Sequence, residues 1–271
     1  MRGLFSAGVT DVLMENGIVF DGCIGVSAGA AFGGNYKSRQ PGRALRYNTR
    51  FAKDPRYCSV ASLIFTGDLY GAEFCYRTLP EQLDIMDLEA YRDNPMEFYV
   101  VCTDADTGEA IYPRLDTMDR DDMEYVRASA SMPAVSQPVE IDGHAYLDGG
   151  IADAIPVRKF REMGFDKIVA VLTQPADYEK KPQKGFGVLK TFLKDYPAIA
   201  DKLADRHIRY NETLEYIRQC EEEGSVFVIR PSHKLNIGKV EHNPQKMREV
   251  YGLGRIRAMS QLNDLKSFLH V

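Results

Sequence analysis

The chain has 271 residues, a length that suits one large α/β domain or one domain with a small appendage, and its 44% apolar and 27% charged content can bury a sizeable core. Its 39 acidic against 34 basic residues leave a net charge of −5, which argues against a nucleic-acid-binding surface and a broad basic membrane-attachment field, a local basic patch staying open. Five cysteines, odd in number and without a C-x-x-C pair, suit a reduced cytoplasmic chain rather than a disulfide framework. No run approaches the ~18 apolar residues of a membrane span, and residues 1–16 lack the basic head and apolar block of a signal peptide.

Leu4, Phe5, Val9, Val12 and Leu13 recur at helical spacing, with Gly17 as a stop. Ile18–Phe20 and Cys23–Val26 read as strand-like pieces separated by Asp21-Gly22, and the Ala- and Gly-rich Ala28–Tyr36 reads as a helix packed closely on a sheet. Phe98–Thr103 and Glu109–Tyr112 form a predicted hairpin across Asp106-Thr107-Gly108. Met123–Ser131 is a predicted helix ended by Pro133, and Val139–Ile141 with His144–Leu147 make a second hairpin around Asp142-Gly143. A helix over Pro156–Met163, a strand over Lys167–Thr173, helices within Gly187–Cys220, a strand over Ser225–Ile229 and helix over Pro244–Leu269, broken near Gly252, complete the chain. Tyr178–Gly185 is the best linker. Alternating strands and helices indicate an α/β layered sheet.

Two short motifs carry chemistry. Gly25-Val26-Ser27-Ala28-Gly29 places Ser27 on a strand-to-helix turn, the setting in which a sharp elbow presents a nucleophilic hydroxyl. On frequency alone, about one chain in ten of this length holds Gly-x-Ser-x-Gly, and a buried helix cap would use the same residues. Asp148-Gly149-Gly150 alone is an ordinary turn, delivered here at a strand end. Its meaning comes from partnership with Ser27.

Order and spacing over Met1 to Thr173 give a resemblance. Met1-Arg2-Gly3 is similar to the end of Gly-Gly-Gly-x-Arg-Gly, residues 25–29 to the serine elbow, and Asp148–Gly150 to the Asp-Gly-Gly of the patatin-like phospholipases. Ala128-Ser129-Ala130-Ser131-Met132-Pro133 also resembles that family's Ala-Ser-x-x-x-Pro segment, and the region from about Arg206 onward a small C-terminal extension of bacterial members. The resemblance implies a three-layer α/β/α sandwich around a mixed, mainly parallel sheet, with a hydrolase core over 1–200 and a mostly helical extension over 201–271. It implies a lipid acyl hydrolase in which Ser27 attacks an ester carbonyl and Asp148 takes its proton. The Ala28 amide, with Arg2, Gly3 and Gly149, would lie at the oxyanion and substrate-binding region. An aspartate with a reference pKa of about 3.9 is a poor base for a hydroxyl, so it needs a desolvated contact, and the oxyanion donors must supply much of the rate. Because the family's glycine loop and first strand would precede Met1, a start upstream of Met1 is expected, with an unpaired sheet edge and a weakened oxyanion hole in its absence; the alternative is a native Met1 with a decayed family motif.

The resemblance implies an acyl ester or phospholipid as substrate and asks for no metal or organic cofactor. Transient contact with a membrane surface is compatible with it, and the oligomeric state is open. Two other readings stand beside the dyad. One is a catalytically impaired lipid-binding or regulatory homologue. The other is a conventional Ser-His-Asp esterase using His207 or His233. The five histidines show no metal-ligand spacing, and Asp104–Gly108 is a hairpin turn rather than a calcium loop. Tyr57–Phe65 and Leu189–Leu203 could line an acyl channel or touch lipid, but core packing explains both more simply. Cys23 reads as a small strand-core residue.

Overall fold

A computed structural model describes residues 1–183 and 185–271. Helix α1 (Gly3–Glu15) ends where Gly17 takes a left-handed φ of 68° and the Ile18 amide reaches back to the Leu13 carbonyl at 3.0 Å. Ile18 therefore belongs to the helix stop, where an apolar residue packs back on the last turn. This corrects the expectation of a strand at Ile18–Phe20; strand β1 begins at Gly22 and runs to Val26. Helix α2 (Ala28–Lys37) follows at once. It lies close on the sheet because Gly33 carries no Cβ, which would sit 2.5 Å from the Phe98 ring.

Helices α3 (Arg43–Arg50) and α4 (Val60–Thr66), a π-helical segment over Phe74–Leu83 and helix α5 (Leu88–Asp93) lead to strand β2 (Glu97–Asp104). Strand β3 (Ala110–Ile111) returns from a turn in which Asp104 Oδ1 accepts the Asp106 and Thr107 amides and the Thr107 hydroxyl. Helix α6 (Arg120–Ser129) starts three residues earlier than its apolar spacing predicts, because the Asp119 carboxylate caps the Asp121 and Asp122 amides. Strands β4 (Val139–Ile141) and β5 (His144–Asp148) form the expected hairpin, with Asp142 and Gly143 both at positive φ. Helix α7 (Val157–Glu162), strand β6 (Ile168–Val171), helices α8 (Phe186–Phe192), α9 (Pro197–Ala204) and α10 (Arg206–Glu222), strand β7 (Val226–Ile229) and helices α11 (Pro244–Ser260) and α12 (Leu262–Leu269) follow.

The fold is the expected α/β sandwich. Strand β1 pairs parallel with β2, β2 antiparallel with β3 and β5, and β5 antiparallel with β4; β6 and β7 form a separate parallel pair. Side chains alternate between layers as the strand period requires. Phe98, Val100 and Cys102 of β2 pack with Ala30, Tyr91 and Val126 of α2, α5 and α6, whereas Ile24 and Tyr99 face Phe160 and Ile217 of α7 and α10. Val169 and Val171 of β6 face the α1–α11 side and Ile168 and Ala170 the opposite one.

The region after residue 200 is integral to this core. Strand β7 pairs in parallel with β6, and α11 crosses α1 backbone to backbone: a Cβ on Gly8 would lie 2.1 Å from the Tyr251 carbonyl oxygen, and one on Gly254 2.0 Å from that of Phe5. Buried Asp11 accepts the Tyr251 hydroxyl at 2.6 Å and the Gly42 amide at 2.8 Å. The expected helix break near Gly252 falls instead at Gln261; Gly252 lies in open space inside α11, and Gly254 is the glycine that serves the close α1 crossing. The segment Tyr178–Gly185 contains Lys184, which lies outside the described residues. Its first part is fixed rather than linker-like: Lys180 exchanges backbone hydrogen bonds with the Asn211 side chain at 2.8 and 3.0 Å.

Candidate active site

At the elbow the chain passes from β1 into α2 within one residue. Ser27 pays for that turn with φ 54° and ψ −114°, a conformation costing about 1–3 kcal/mol for a residue with a Cβ. Gly25 is required by contact, since a Cβ there would lie 2.5 Å from the Gly29 carbonyl oxygen. Gly29 has open space around the same position. The Ser27 amide is bound at 3.0 Å by Ser129 Oγ, whose own hydroxyl donates to the Val101 carbonyl at 2.6 Å. The Ala28 and Gly29 amides fall in the first turn of α2, where helix donors have no intrahelical partner.

Asp148 arrives at the end of β5 and is 6% exposed. Its amide donates to the Ser131 carbonyl at 2.8 Å, its carbonyl accepts the Thr103 hydroxyl at 2.9 Å, and its Oδ1 accepts the Gly150 amide at 2.7 Å. The Ser27 side chain reaches the carboxylate as a further donor. Burial raises the Asp148 pKa above the usual carboxylate value, and Ser27, the Gly150 amide and the charges of Arg206 and Lys239 oppose that rise without cancelling it.

Ser27 and Asp148 open into a cavity of about 1520 Å³ that runs on between β1 and β6, each of which has an edge unpaired with a strand among the described residues. Gly3 lies against the elbow helix, where a Cβ would sit 2.6 Å from Ala28 Cβ, and Arg2 lines the cavity beside it. Of the two glycines after Asp148, only Gly150 lines the cavity. Gly149 is buried against β2, where a Cβ would lie 2.0 Å from the Val101 carbonyl oxygen, so it serves packing and not the substrate side where it was expected.

His207 also lines the cavity, but it makes no hydrogen bond to Ser27 or Asp148 and its buried Nδ1 has no partner among the described residues. His233 lies outside the cavity and bonds Ser232. The Cys23 thiol is pushed up to about 12 by burial, which makes it inert. Among the described residues no group of three His, Cys, Asp or Glu is placed to hold a metal ion. Three residues absent from the sequence reading do line the site: Lys180, Arg206 and Lys239. They come from separate segments with no local pattern linking them. Arg206 donates to the Gly150 carbonyl.

The serine elbow and the aspartate turn thus share one cavity. The family model described as patatin-like phospholipase matches residues 1–161, well over half of the chain. The chain belongs to that family. A second model, a domain of unknown function (DUF6363), matches residues 196–270. An uncharacterized protein of Escherichia coli, YjjU, is 27% identical over 94% of this chain and 72% of its own length. An uncharacterized NTE family protein of Mycobacterium tuberculosis is 29% identical over 63% of this chain, which spans only 45% of that relative. Lysophospholipase nte1 of Emericella nidulans is 32% identical over 69% of this chain, which covers 12% of that protein. Among solved structures, VipD from Legionella pneumophila aligns with a TM-score of 0.46 at 12% identity, covering 97% of this chain and 65% of that one.

Proposed function

We propose that the chain is a lipid acyl hydrolase that cleaves carboxylic esters through a Ser27–Asp148 dyad and an acyl-enzyme. The observation that carries this reading is the Ser27 hydroxyl, held on a strained elbow, directed at a desolvated carboxylate of raised pKa. Ser27 Oγ attacks the ester carbonyl carbon while Asp148 accepts the hydroxyl proton. The carbonyl oxygen becomes an oxyanion beside the Ala28 and Gly29 amides, the positive end of α2. The tetrahedral species collapses, Asp148 returns the proton to the leaving alcohol, and the acyl group stays on Ser27. Water then attacks the acyl carbon with Asp148 again as base, releasing the carboxylic acid. The raised pKa of Asp148 makes its carboxylate a stronger base for the Ser27 proton than an ordinary aspartate.

Helix α4 supports contact with lipid. None of its residues is buried, and Val60, Ile64 and Phe65 are 67, 72 and 86% exposed. This differs from the core packing expected for Tyr57–Phe65, which holds for Tyr57 and Cys58 only. The corresponding expectation for Leu189–Leu203 holds at Leu193, Ile199, Ala200 and Leu203, which pack in the core with Leu147 and Ile151. No described helix is long and apolar enough to cross a membrane. The five free thiols suit a reducing compartment such as the cytoplasm.

Turnover of 4-nitrophenyl butyrate tests the reading. Ser27→Ala and Asp148→Asn should each lower kcat by at least about a hundredfold, the scale of a general-base contribution, while His207→Ala and His233→Ala retain activity. Activity that survives Asp148→Asn and dies with either histidine would establish a histidine-based triad instead.

A further inference from the structure

Four cations from four separate segments meet at the cavity that holds Ser27. Arg2 stands at the start of α1, Lys180 in the connection after β6, Arg206 at the start of α10 and Lys239 in the loop before α11, and all four line the cavity. In a chain of net charge −5, such a concentration is not a consequence of composition. Among the described residues none of the four forms an ion pair with a carboxylate, although seventeen pairs form elsewhere.

The cluster is held in place. The backbone of Lys180 is fixed at both its amide and its carbonyl by Asn211, and its ammonium lies 5.0 Å from the centre of the Tyr210 ring, against which Tyr178 packs edge-on at 6.0 Å. The Arg206 guanidinium is aimed past Gly150 toward the dyad, its Nη2 3.1 Å from where a Gly150 Cβ would be. Burial, and after it like-charge repulsion from Arg206, Arg2 and Lys239, together lower the Lys180 pKa to about 8. Asp148 offsets part of the charge of Arg206 and Lys239, and the four cations remain in excess of it, a site that an anion would stabilise.

We propose that Lys180, Arg206 and Lys239, with Arg2, form a headgroup subsite that selects acyl esters bearing a net-anionic phosphate over zwitterionic or neutral ones. The inference rests on the ester-hydrolase reading for its orientation: the phosphate sits on the cationic side and the ester carbonyl at Ser27. Asp148 is occupied by Ser27 and the Gly150 amide, so the cluster offers no free carboxylate to a headgroup ammonium, and Lys180 already occupies the Tyr210 face. A phosphocholine therefore gains the phosphate contact but meets repulsion at its quaternary nitrogen. Arg206 and Lys239 fall outside residues 1–161, as does Lys180, so headgroup choice would be set by segments beyond the matched catalytic family region.

Calorimetric binding to the full chain tests this without requiring turnover. The probes are sn-glycerol 3-phosphate, sn-glycero-3-phosphocholine, glycerol and inorganic phosphate. sn-Glycerol 3-phosphate should bind at least about tenfold more tightly than the phosphocholine diester, and glycerol should not bind. Lys180→Met and Lys239→Met should each weaken sn-glycerol 3-phosphate about tenfold, the loss expected for one charge-assisted contact, while the exposed Lys53→Met leaves it unchanged. Melting curves verify that each variant is folded. Absence of binding, affinity insensitive to both cavity lysines, or equal affinity for the two glycerophosphate probes would overturn the subsite. Inorganic phosphate binding that a lysophosphatidate micelle fails to displace would reassign it to a free-phosphate site and likewise overturn it. Preserved, lysine-dependent binding in a protein that hydrolyses no ester would leave the subsite standing and remove the hydrolase reading alone.

Discussion

Ser129 holds the Ser27 elbow to strand β2: its hydroxyl oxygen accepts the Ser27 amide at 3.0 Å and its proton goes to the Val101 carbonyl at 2.6 Å. The same carbonyl is the one against which Gly149 packs, just after the aspartate. One backbone oxygen thereby sets the distance between the serine elbow and the aspartate turn. Two residues on, the Ser131 carbonyl binds the Asp148 amide.

Removing that hydroxyl should be costly for rate. Ser129→Ala leaves the Ser27 amide without its partner, a loss of about 1–3 kcal/mol. The expected result is a kcat on 4-nitrophenyl butyrate reduced by about ten- to a hundredfold, with KM little changed, and a lower denaturation midpoint. A kcat equal to that of the parent would show that the elbow holds its shape unaided.

Asp148 should trade stability for activity. Its pKa in the folded chain lies above the unfolded value, so folding opposes its ionisation. That penalty is absent below pH of about 3.8, grows as pH rises through the folded pKa, and is complete above it. Asp148→Asn keeps an acceptor for the Gly150 amide and removes the charge. The variant should melt a few degrees higher than the parent near neutral pH, with the advantage vanishing toward pH 4, while turnover is lost. A variant that melts lower at pH 7 than the parent would contradict this.

The α1–α11 crossing should tolerate no side chain. Gly254→Ala places a methyl 2.0 Å from the Phe5 carbonyl oxygen, and separation of the helices should cost about 1–3 kcal/mol or more. Gly252→Ala, two residues away with nothing within 4 Å, should instead stabilise by about 0.5–1 kcal/mol through helix propensity. Chemical denaturation of the pair separates the two effects, and equal midpoints would refute the close crossing.

Helix α4 should matter for lipid surfaces only. Phe65→Ser, at an 86% exposed position, should reduce hydrolysis of vesicle-borne lipid several-fold and leave the soluble butyrate ester unaffected. Equal loss on both substrates would point to a folding defect rather than a lipid contact.

Much of the site was legible because its chemistry is local. A glycine two residues before Ser27, required by a 2.5 Å approach, and a strand end that delivers Asp148 each leave a mark within a few residues of the side chain they position. The cationic cluster left none, since Arg2, Lys180, Arg206 and Lys239 are joined only by the tertiary fold. Ile18 was misread because a helix stop and a strand both want an apolar residue there. A break is expected near Gly252 because local propensity cannot show the α1 backbone that Gly254 meets and that holds α11 through this stretch. The exposure of Ile64 and Phe65 was hidden for the converse reason: an apolar run looks the same whether or not the fold covers it.

The most direct test of the central claim is fluorophosphonate labelling of the full chain, with the modified residue located by peptide mass spectrometry. The account predicts one adduct, on Ser27, abolished in Ser27→Ala and strongly slowed in Asp148→Asn. An adduct on another residue, or no adduct on a chain shown to be folded, would contradict it.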